Sequence, residues 1–364
     1  MATRQERLDL IKELEEARGG TTVIAYVTST RANLESQMAM DVIPIVYRHL
    51  AALEGPKEQR SIDLFLHSNG GDGIVPWRLV TLIRGCCETF NVLVPHRAFS
   101  AATLTALGAD SVVMHPMGML GPTDPTITTP FNPANPQNPT QLLPISVEDV
   151  ASYISLIKDD VGVRHEDELV QAFNILAEKI HPLALGNVKR ATSQSRMMGE
   201  KLLRQKAAAR RIDERDAEEI IDKLTAQLYY HGHPINRTEA RDELRLSFVE
   251  DASPEVETAM WALYEAYSDD MLLDEEFLPL QEAYSQNQIQ LPPPPPMAQP
   301  GQIGATTINV ESADIGPLST VYVESAVRAD VRTASFEVTV RKEWTGELNA
   351  SVALTAAGWE VEED

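Results

Sequence analysis

Asn91-Val92-Leu93-Val94-Pro95, followed closely by Ala98-Phe99-Ser100-Ala101-Ala102-Thr103-Leu104-Thr105-Ala106-Leu107-Gly108, is the stretch that decides the fold. The first run is apolar and reads as a buried strand, and the second reads as a helix opened by the lone hydroxyl of Ser100. Small residues at 98, 101 and 102 let other backbone approach that hydroxyl, and the free amides of a first helical turn stabilise negative charge on a substrate oxygen. A serine in this place is also what a plain helix N-cap looks like.

Working outward, the strand Ser61–His67 runs into Ser68-Asn69-Gly70-Gly71-Asp72-Gly73 and then into the helical pattern Ile74–Cys87. Three glycines in four residues leave backbone exposed, so the amides of Gly70 and Gly71 are available to an oxyanion and a substrate chain can lie against the turn. A phosphate loop is disfavoured because no Gly-Lys-Ser/Thr ending is present, and a tight turn without chemistry is the plain alternative. Apolar strands at Thr22–Val27, Ser61–His67, Asn91–Val94 and Ser111–His115 alternate with helical patterns at Leu34–Leu53, Ile74–Cys87 and Ser100–Gly108. That alternation predicts an α/β fold with a mostly parallel sheet.

The glycine turn and the serine helix, in this order and spacing, resemble the Clp-protease/crotonase superfamily. Within it the match is to the serine dehydrogenase proteinase family, in the signal peptide peptidase A-like branch, over roughly residues 20 to 245. Ser111–Pro116 with Gly121-Pro122-Thr123-Asp124-Pro125, and His231-Gly232-His233-Pro234-Ile235, carry the assignment to that branch. The resemblance implies a spiral of β-β-α units with a helical extension, and hydrolysis of peptide bonds through an acyl-enzyme. It implies Ser100 as nucleophile, Asp124 as acid and His231 as base, with an oxyanion hole from the Gly71 and Ala101 amides and substrate contacts at Gly70 and Asp72. It further implies a peptide or protein substrate, no cofactor, no metal and a homo-oligomer.

Each role has a rival in the sequence. Asp110 competes with Asp124 but closes the serine helix, where capping or a structural contact suits it better. His233 competes with His231. Lys158 and Lys189 enter because the peptidase A branch uses a lysine base, and a buried lysine can be lowered into that role. His67, His96 and His115 sit at strand ends and read as structural. The His231/His233 pair lacks the further ligands a zinc site needs. Cys86 and Cys87, the only cysteines, read as packed thiols.

At 364 residues the chain is long enough for one large domain and a second unit. A net charge of -23 argues against nucleic acid as a partner, and the basic run Lys201–Arg211 reads as a solvated helix face. Met1–Glu16 reads as an amphipathic helix, and no apolar run approaches the roughly twenty residues that span a bilayer, so a cytoplasmic location is expected. Thr126–Pro144, rich in proline and asparagine, reads as a long loop beside Asp124 that could serve as a lid.

The expected domains are an N-terminal helix (1–20), a peptidase domain with a helical C-terminal part (21–285), a proline-rich linker (286–304) and a small β-rich module (305–364) that folds on its own, with partner docking, substrate recruitment and oligomer support as its open roles. Three other functions share these features: a crotonase-type acyl-CoA enzyme using only the backbone oxyanion hole, a catalytically silent assembly module, and an esterase. No Gly-x-Gly-x-x-Gly fingerprint supports dinucleotide chemistry.

Overall fold

The computed structural model describes residues 2–136, 138–205, 214–227, 232–285, 309–342 and 348–362. His231 and the whole of the expected linker Gln286–Gly304 lie outside the described residues. The first half of the chain runs α1 (Arg4–Ala17), β1 (Thr22–Thr28), α2 (Val42–Ala51), β2 (Ser61–His67), α3 (Val75–Arg84), β3 (Thr89–Val94), β4 (Arg97–Ala98), α4 (Ala101–Leu107), β5 (Ser111–Met114) and β6 (Met119–Leu120). Two short ladders follow, β7 (Thr126–Ile127) with β10 (Ile145–Ser146) and β8 (Ala134–Asn135) with β9 (Asn138–Leu142). The stretch read as a long loop therefore contains small strands of its own.

Helices α5 (Val147–Ser155), α6 (Glu166–Lys179), α7 (Pro182–Arg204) and α8 (Glu214–Asp222) form the helical extension. The chain then passes through β11 (Ile235–Asn236), α9 (Arg237–Asp242), β12 (Val249–Asp251), α10 (Pro254–Met271) and α11 (Pro279–Ser285). Three long strands complete it, β13 (Asn309–Ser325), β14 (Arg328–Lys342) and β15 (Leu348–Val361).

The main sheet has the order β12-β5-β3-β2-β1-β13-β14-β15. Its first five strands are mutually parallel, and the last three are added antiparallel. Strand β1 is a run of largely apolar residues from Val23 to Val27 because it is covered on both sides, as parallel sheets are. Ile24 and Tyr26 face a core with α2, α3 and α4, whereas Val23, Ala25 and Val27 face α1 and α10. A second sheet, β11-β6-β4, stands beside the first, so that β3, β4 and α4 form a β-β-α unit. The α/β class and the spiral unit read from the sequence are both present. No helix among the described residues is long and apolar enough to cross a membrane.

Two expectations are corrected. The helix expected over Leu34–Leu53 begins only at Val42, because Met38 spends its backbone on a bridge to Gly71 and cannot be helical. The C-terminal strands, expected as a module apart from the rest, continue the main sheet. β13 pairs with β1 from Ile24↔Ser325 to Thr28↔Val321, and Val321 and Val323 belong to the same core as α2 and α3. Behind this seam Arg7 of α1 is 1 % exposed. Its Nε donates to Glu324 at 2.9 Å, its terminal nitrogen pairs with Glu362, and its guanidinium lies 4.6 Å from the Tyr322 ring centre. Tyr267 of α10 also donates to Glu324, at 2.8 Å.

Removing one member of a buried ion pair strands the other charge. Glu324→Ala is accordingly expected to cost about 3–5 kcal/mol of stability in urea unfolding. Truncation after Tyr284 is expected to give an insoluble or unfolded product, read by solubility and circular dichroism.

Three histidines cluster where the sheet meets α10. His67 stacks on His96 with ring centres 5.7 Å apart, His96 Nδ1 lies 2.8 Å from the Tyr264 hydroxyl, and His115 stacks on Trp261 at 4.8 Å. They are structural, as their strand-end positions suggest. Burial, with His96 and Arg97 alongside, pushes the His67 pKa down to about 3. Its Nδ1 accepts from the Arg97 N–H at 3.3 Å, which leaves Nε2–H to donate to Thr30 Oγ1 at 3.2 Å and holds the ring neutral.

From about pH 3 to about 6.5 the unfolded chain binds a proton at His67 that the folded chain does not, so stability rises with pH across that window and is lost as pH falls. Unfolding free energies at about pH 5 and about pH 6 should differ less in His67→Gln than in the parent chain, by up to about 1.4 kcal/mol per pH unit.

Candidate active site

The site begins with the backbone of Ser100, which has φ 52° and ψ -113°. A non-glycine residue in this region is strained and persists only when its surroundings hold it there. The surroundings are backbone hydrogen bonds. Phe99 N–H donates to the Ser68 carbonyl at 2.9 Å, Ser68 N–H to Arg97 at 2.8 Å, and Leu104 N–H to Ser100 at 3.0 Å. The Ser100 side chain makes no capping bond to α4, which removes the plain N-cap reading, and the residue lines a cavity of about 580 Å³.

The glycine turn packs directly on this serine. Gly70 has φ +98°, and a Cβ built there would meet the Ser100 Cβ at 2.8 Å and the Phe99 carbonyl at 2.7 Å. Its amide donates to Ser68 Oγ at 3.0 Å, so it is not free for an oxyanion and the two-amide reading of the turn is corrected to one. Gly71 forms a parallel bridge with Met38, in which Met38 N–H donates to Gly70 at 2.8 Å and Asp72 N–H donates to Met38 at 2.9 Å. In a parallel bridge the bonds on one side come from the flanking residues, so the Gly71 N–H points away from Met38. Gly71, Ala101, Gly70 and Asp72 all line the cavity with Ser100.

Asp124 is 2 % exposed. It is carried by a turn clamped from both directions, since Thr123 N–H donates to Leu224 at 2.8 Å and Ser195 Oγ of α7 donates to the Thr123 carbonyl at 2.6 Å. Its neighbours Thr123 and Pro125 line the cavity. Thr103 joins this turn to the serine, with its Oγ1 at 2.7 Å from the Ala98 carbonyl and accepting from the Gly121 N–H at 3.0 Å. Asp110 is engaged elsewhere: both terminal nitrogens of Arg84 reach its carboxylate at 3.1 and 3.2 Å, and it accepts from the Phe90 N–H.

The small sheet relates the three candidate positions. Ala98 pairs with Leu120, and Leu120 pairs with Ile235. Ser100 follows Ala98 by two residues, Asp124 follows Leu120 by four, and His231 precedes Ile235 by four. Because β6 is parallel to β4, the chain leaves both strands toward Ser100 and Asp124 at the same end, where the antiparallel β11 begins. His233 is placed with Nε2 at 2.6 Å from Glu239. Lys189 and Lys158 are exposed, and neither lines the cavity.

Several contributors escape a reading of motifs. Gln194 and Ser195 of α7, and Glu35, Ser36 and Gln37 ahead of α2, form further parts of its walls. Nothing local in the sequence marks them, because they reach the cavity only through tertiary packing.

Residues 1–137 match the family model for ClpP-like SDH-type serine proteinases. The matched span holds Gly71, Ser100, Ala101 and Asp124 and stops short of His231. Over that span the resemblance to the serine dehydrogenase proteinases read from the motifs has its match. Two uncharacterised proteins of Methanocaldococcus jannaschii are 28 % identical over 125 residues and 29 % identical over 127 residues, in each case 32 % of this chain and 41 % of the relative. The chain thus matches these relatives over about two fifths of their length. Among solved structures, a membrane-bound stomatin-specific protease aligns with 13 % identity and a TM-score of 0.36 over 60 % of this chain and 75 % of that one. ClpP1 from Listeria monocytogenes aligns with 12 % identity and a TM-score of 0.34 over 68 % and 99 %.

The contact between Gly70 and Ser100 leaves no room for a methyl group and requires a backbone that side chains rarely adopt. Gly70→Ala should cost about 1–3 kcal/mol from the backbone strain alone. It should also slow labelling of Ser100 by a fluorophosphonate probe well beyond what the stability loss explains.

Proposed function

We propose that this chain is a serine peptidase that cleaves peptide bonds through an acyl-enzyme on Ser100. The observation that carries the reading is the strained serine, uncommitted to its helix, at a cavity shared with the backbone of Gly71 and Ala101. A serine hydroxyl is a weak nucleophile near neutral pH until a base takes its proton. His231 fills that role, and the buried carboxylate of Asp124 orients its ring and stabilises the imidazolium. The common end of β4, β6 and β11 supports that grouping, and the ion pair of Asp110 with Arg84 and the exposure of Lys189 speak against the rivals.

In the reaction, Ser100 Oγ bonds to the scissile carbonyl carbon while its proton passes to the imidazole. The carbonyl oxygen becomes an oxyanion held by the Gly71 and Ala101 amides. Collapse of the tetrahedral centre breaks the C–N bond, and the amine leaves with the proton from the imidazolium. Water then attacks the acyl ester by the same route and frees Ser100. The cavity walls from Asp72, Gly70 and α7 would hold the peptide on either side of the bond.

A fluorophosphonate probe separates this reading from the alternatives. The parent chain should label on Ser100, and Ser100→Ala should lose labelling and peptide hydrolysis while keeping its stability within about 0.5 kcal/mol. Asp124→Asn should lower kcat by on the order of 10³–10⁴-fold. A parent chain that does not label, or hydrolysis that survives Ser100→Ala, would move the chain to the acyl-CoA or binding classes.

A further inference from the structure

The segment from Ser29 to Met38 leaves the end of β1, forms one wall of the cavity through Glu35, Ser36 and Gln37, and ends in the bridge that orients Gly71. It has little regular structure of its own to hold it in place. Its internal bonds include Leu34 N–H to Arg31 at 2.9 Å and Ser36 N–H to Ser29 at 2.8 Å, and Asn33 stands at φ 66°.

The outer side of this segment is gripped by residues some 240 positions later in the chain. Arg31 is 3 % exposed and donates from a terminal nitrogen to Glu282 of α11 at 2.7 Å and from Nε to the Glu275 carbonyl at 3.0 Å. Its guanidinium lies 5.2 Å from the Phe277 ring centre. Phe277 N–H donates to the Ala32 carbonyl at 2.9 Å, and Asn33 Nδ2 donates to Glu276 at 2.9 Å. Leu34 is buried against Phe277 and Ala283. Ser29 N–H donates to Thr320 of β13 at 2.8 Å, so the added strand holds the start of the segment as well.

We propose that Arg31 and Glu282 are positioning residues for catalysis, through which α11 and the chain before it set the place of the Gly71 amide in the oxyanion hole. The inference rests on the reading of Gly71 as an oxyanion donor. Neither residue lines the cavity. Their effect passes through a continuous backbone path: Arg31 fixes the segment, the segment fixes Met38, and Met38 bonds the residues on both sides of Gly71. Donation to an oxyanion works over a span of a few tenths of an ångström, so a small slip of this segment weakens the transition state without removing a substrate contact.

The test uses the full chain, with Glu282→Gln and, as a milder change, Asn33→Gly, which keeps the left-handed backbone and removes the bond to Glu276. Glu282→Gln should lower kcat for a chromogenic peptide by about 10- to 100-fold with KM nearly unchanged. It should weaken a peptide boronic acid, which forms a tetrahedral adduct on serine, by a similar factor. Asn33→Gly should show the same pattern at smaller size with an unchanged melting temperature. The exchange Arg31→Glu with Glu282→Arg should recover part of the lost kcat.

Unchanged kcat in both variants overturns the proposal, and so does a rise in KM at constant kcat, which would make the segment a substrate-binding wall only. These outcomes are read on a parent chain that labels at Ser100. A parent chain that does not label fails the peptidase reading itself, a separate result.

Discussion

Everything in the site hangs on Ser68, a fully buried residue at the end of β2. Its N–H and carbonyl bind Arg97 and Phe99, which sets the approach to Ser100. Its hydroxyl accepts from Thr28 at the end of β1 and from the Gly70 amide. One serine thus joins two core strands, the glycine turn and the turn that carries Ser100. In a dry interior each of these bonds is costly to break, because the groups have no water to turn to. This is why a strained Ser100 and a crowded Gly70 persist together.

The same economy governs charge. The chain carries 54 acidic residues against 31 basic ones, so each buried cation has many carboxylates to choose from. The structure spends its arginines where distant segments must meet. Arg7 closes the N-terminal helix onto β13, Arg18 pairs with buried Asp63 beneath β1, Arg84 holds Asp110 at the end of the serine helix, and Arg31 joins the cavity wall to α11. Guanidinium groups suit such joints because they offer several fixed donors and remain charged when buried.

The proline-rich stretch before residue 305 invited a division into two folding units, since such sequences space domains apart. What the division missed is that β1 has an open side. An uncovered edge beside an apolar strand is a liability, and β13 satisfies it with five residue pairs of backbone and with Val321 and Val323 added to the main core. The tail therefore shares a sheet and a core with the first half of the chain, and its first strand holds, through Thr320, the start of the segment that goes on to wall the cavity.

The sequence by itself determined what depends on neighbours along the chain. The alternation of apolar strands and helices, the bare turn at Gly70 and Gly71, the small residues around Ser100 and the Gly-Pro-x-Asp-Pro turn all carry their meaning within a few residues. Periodicity and steric freedom are local properties, and from them came the α/β class and the candidate serine, while the candidate acid came from the resemblance of the Gly-Pro-x-Asp-Pro turn to a known family. Only the tertiary structure decided which of the two glycine amides is spent on Ser68, that Asp110 belongs to Arg84, that Met38 is bridge and not helix, and that residues 309–325 complete the sheet begun at residue 22. Pairings across hundreds of residues are chosen by the summed burial and hydrogen bonding of the whole molecule, and no short stretch of sequence holds that sum.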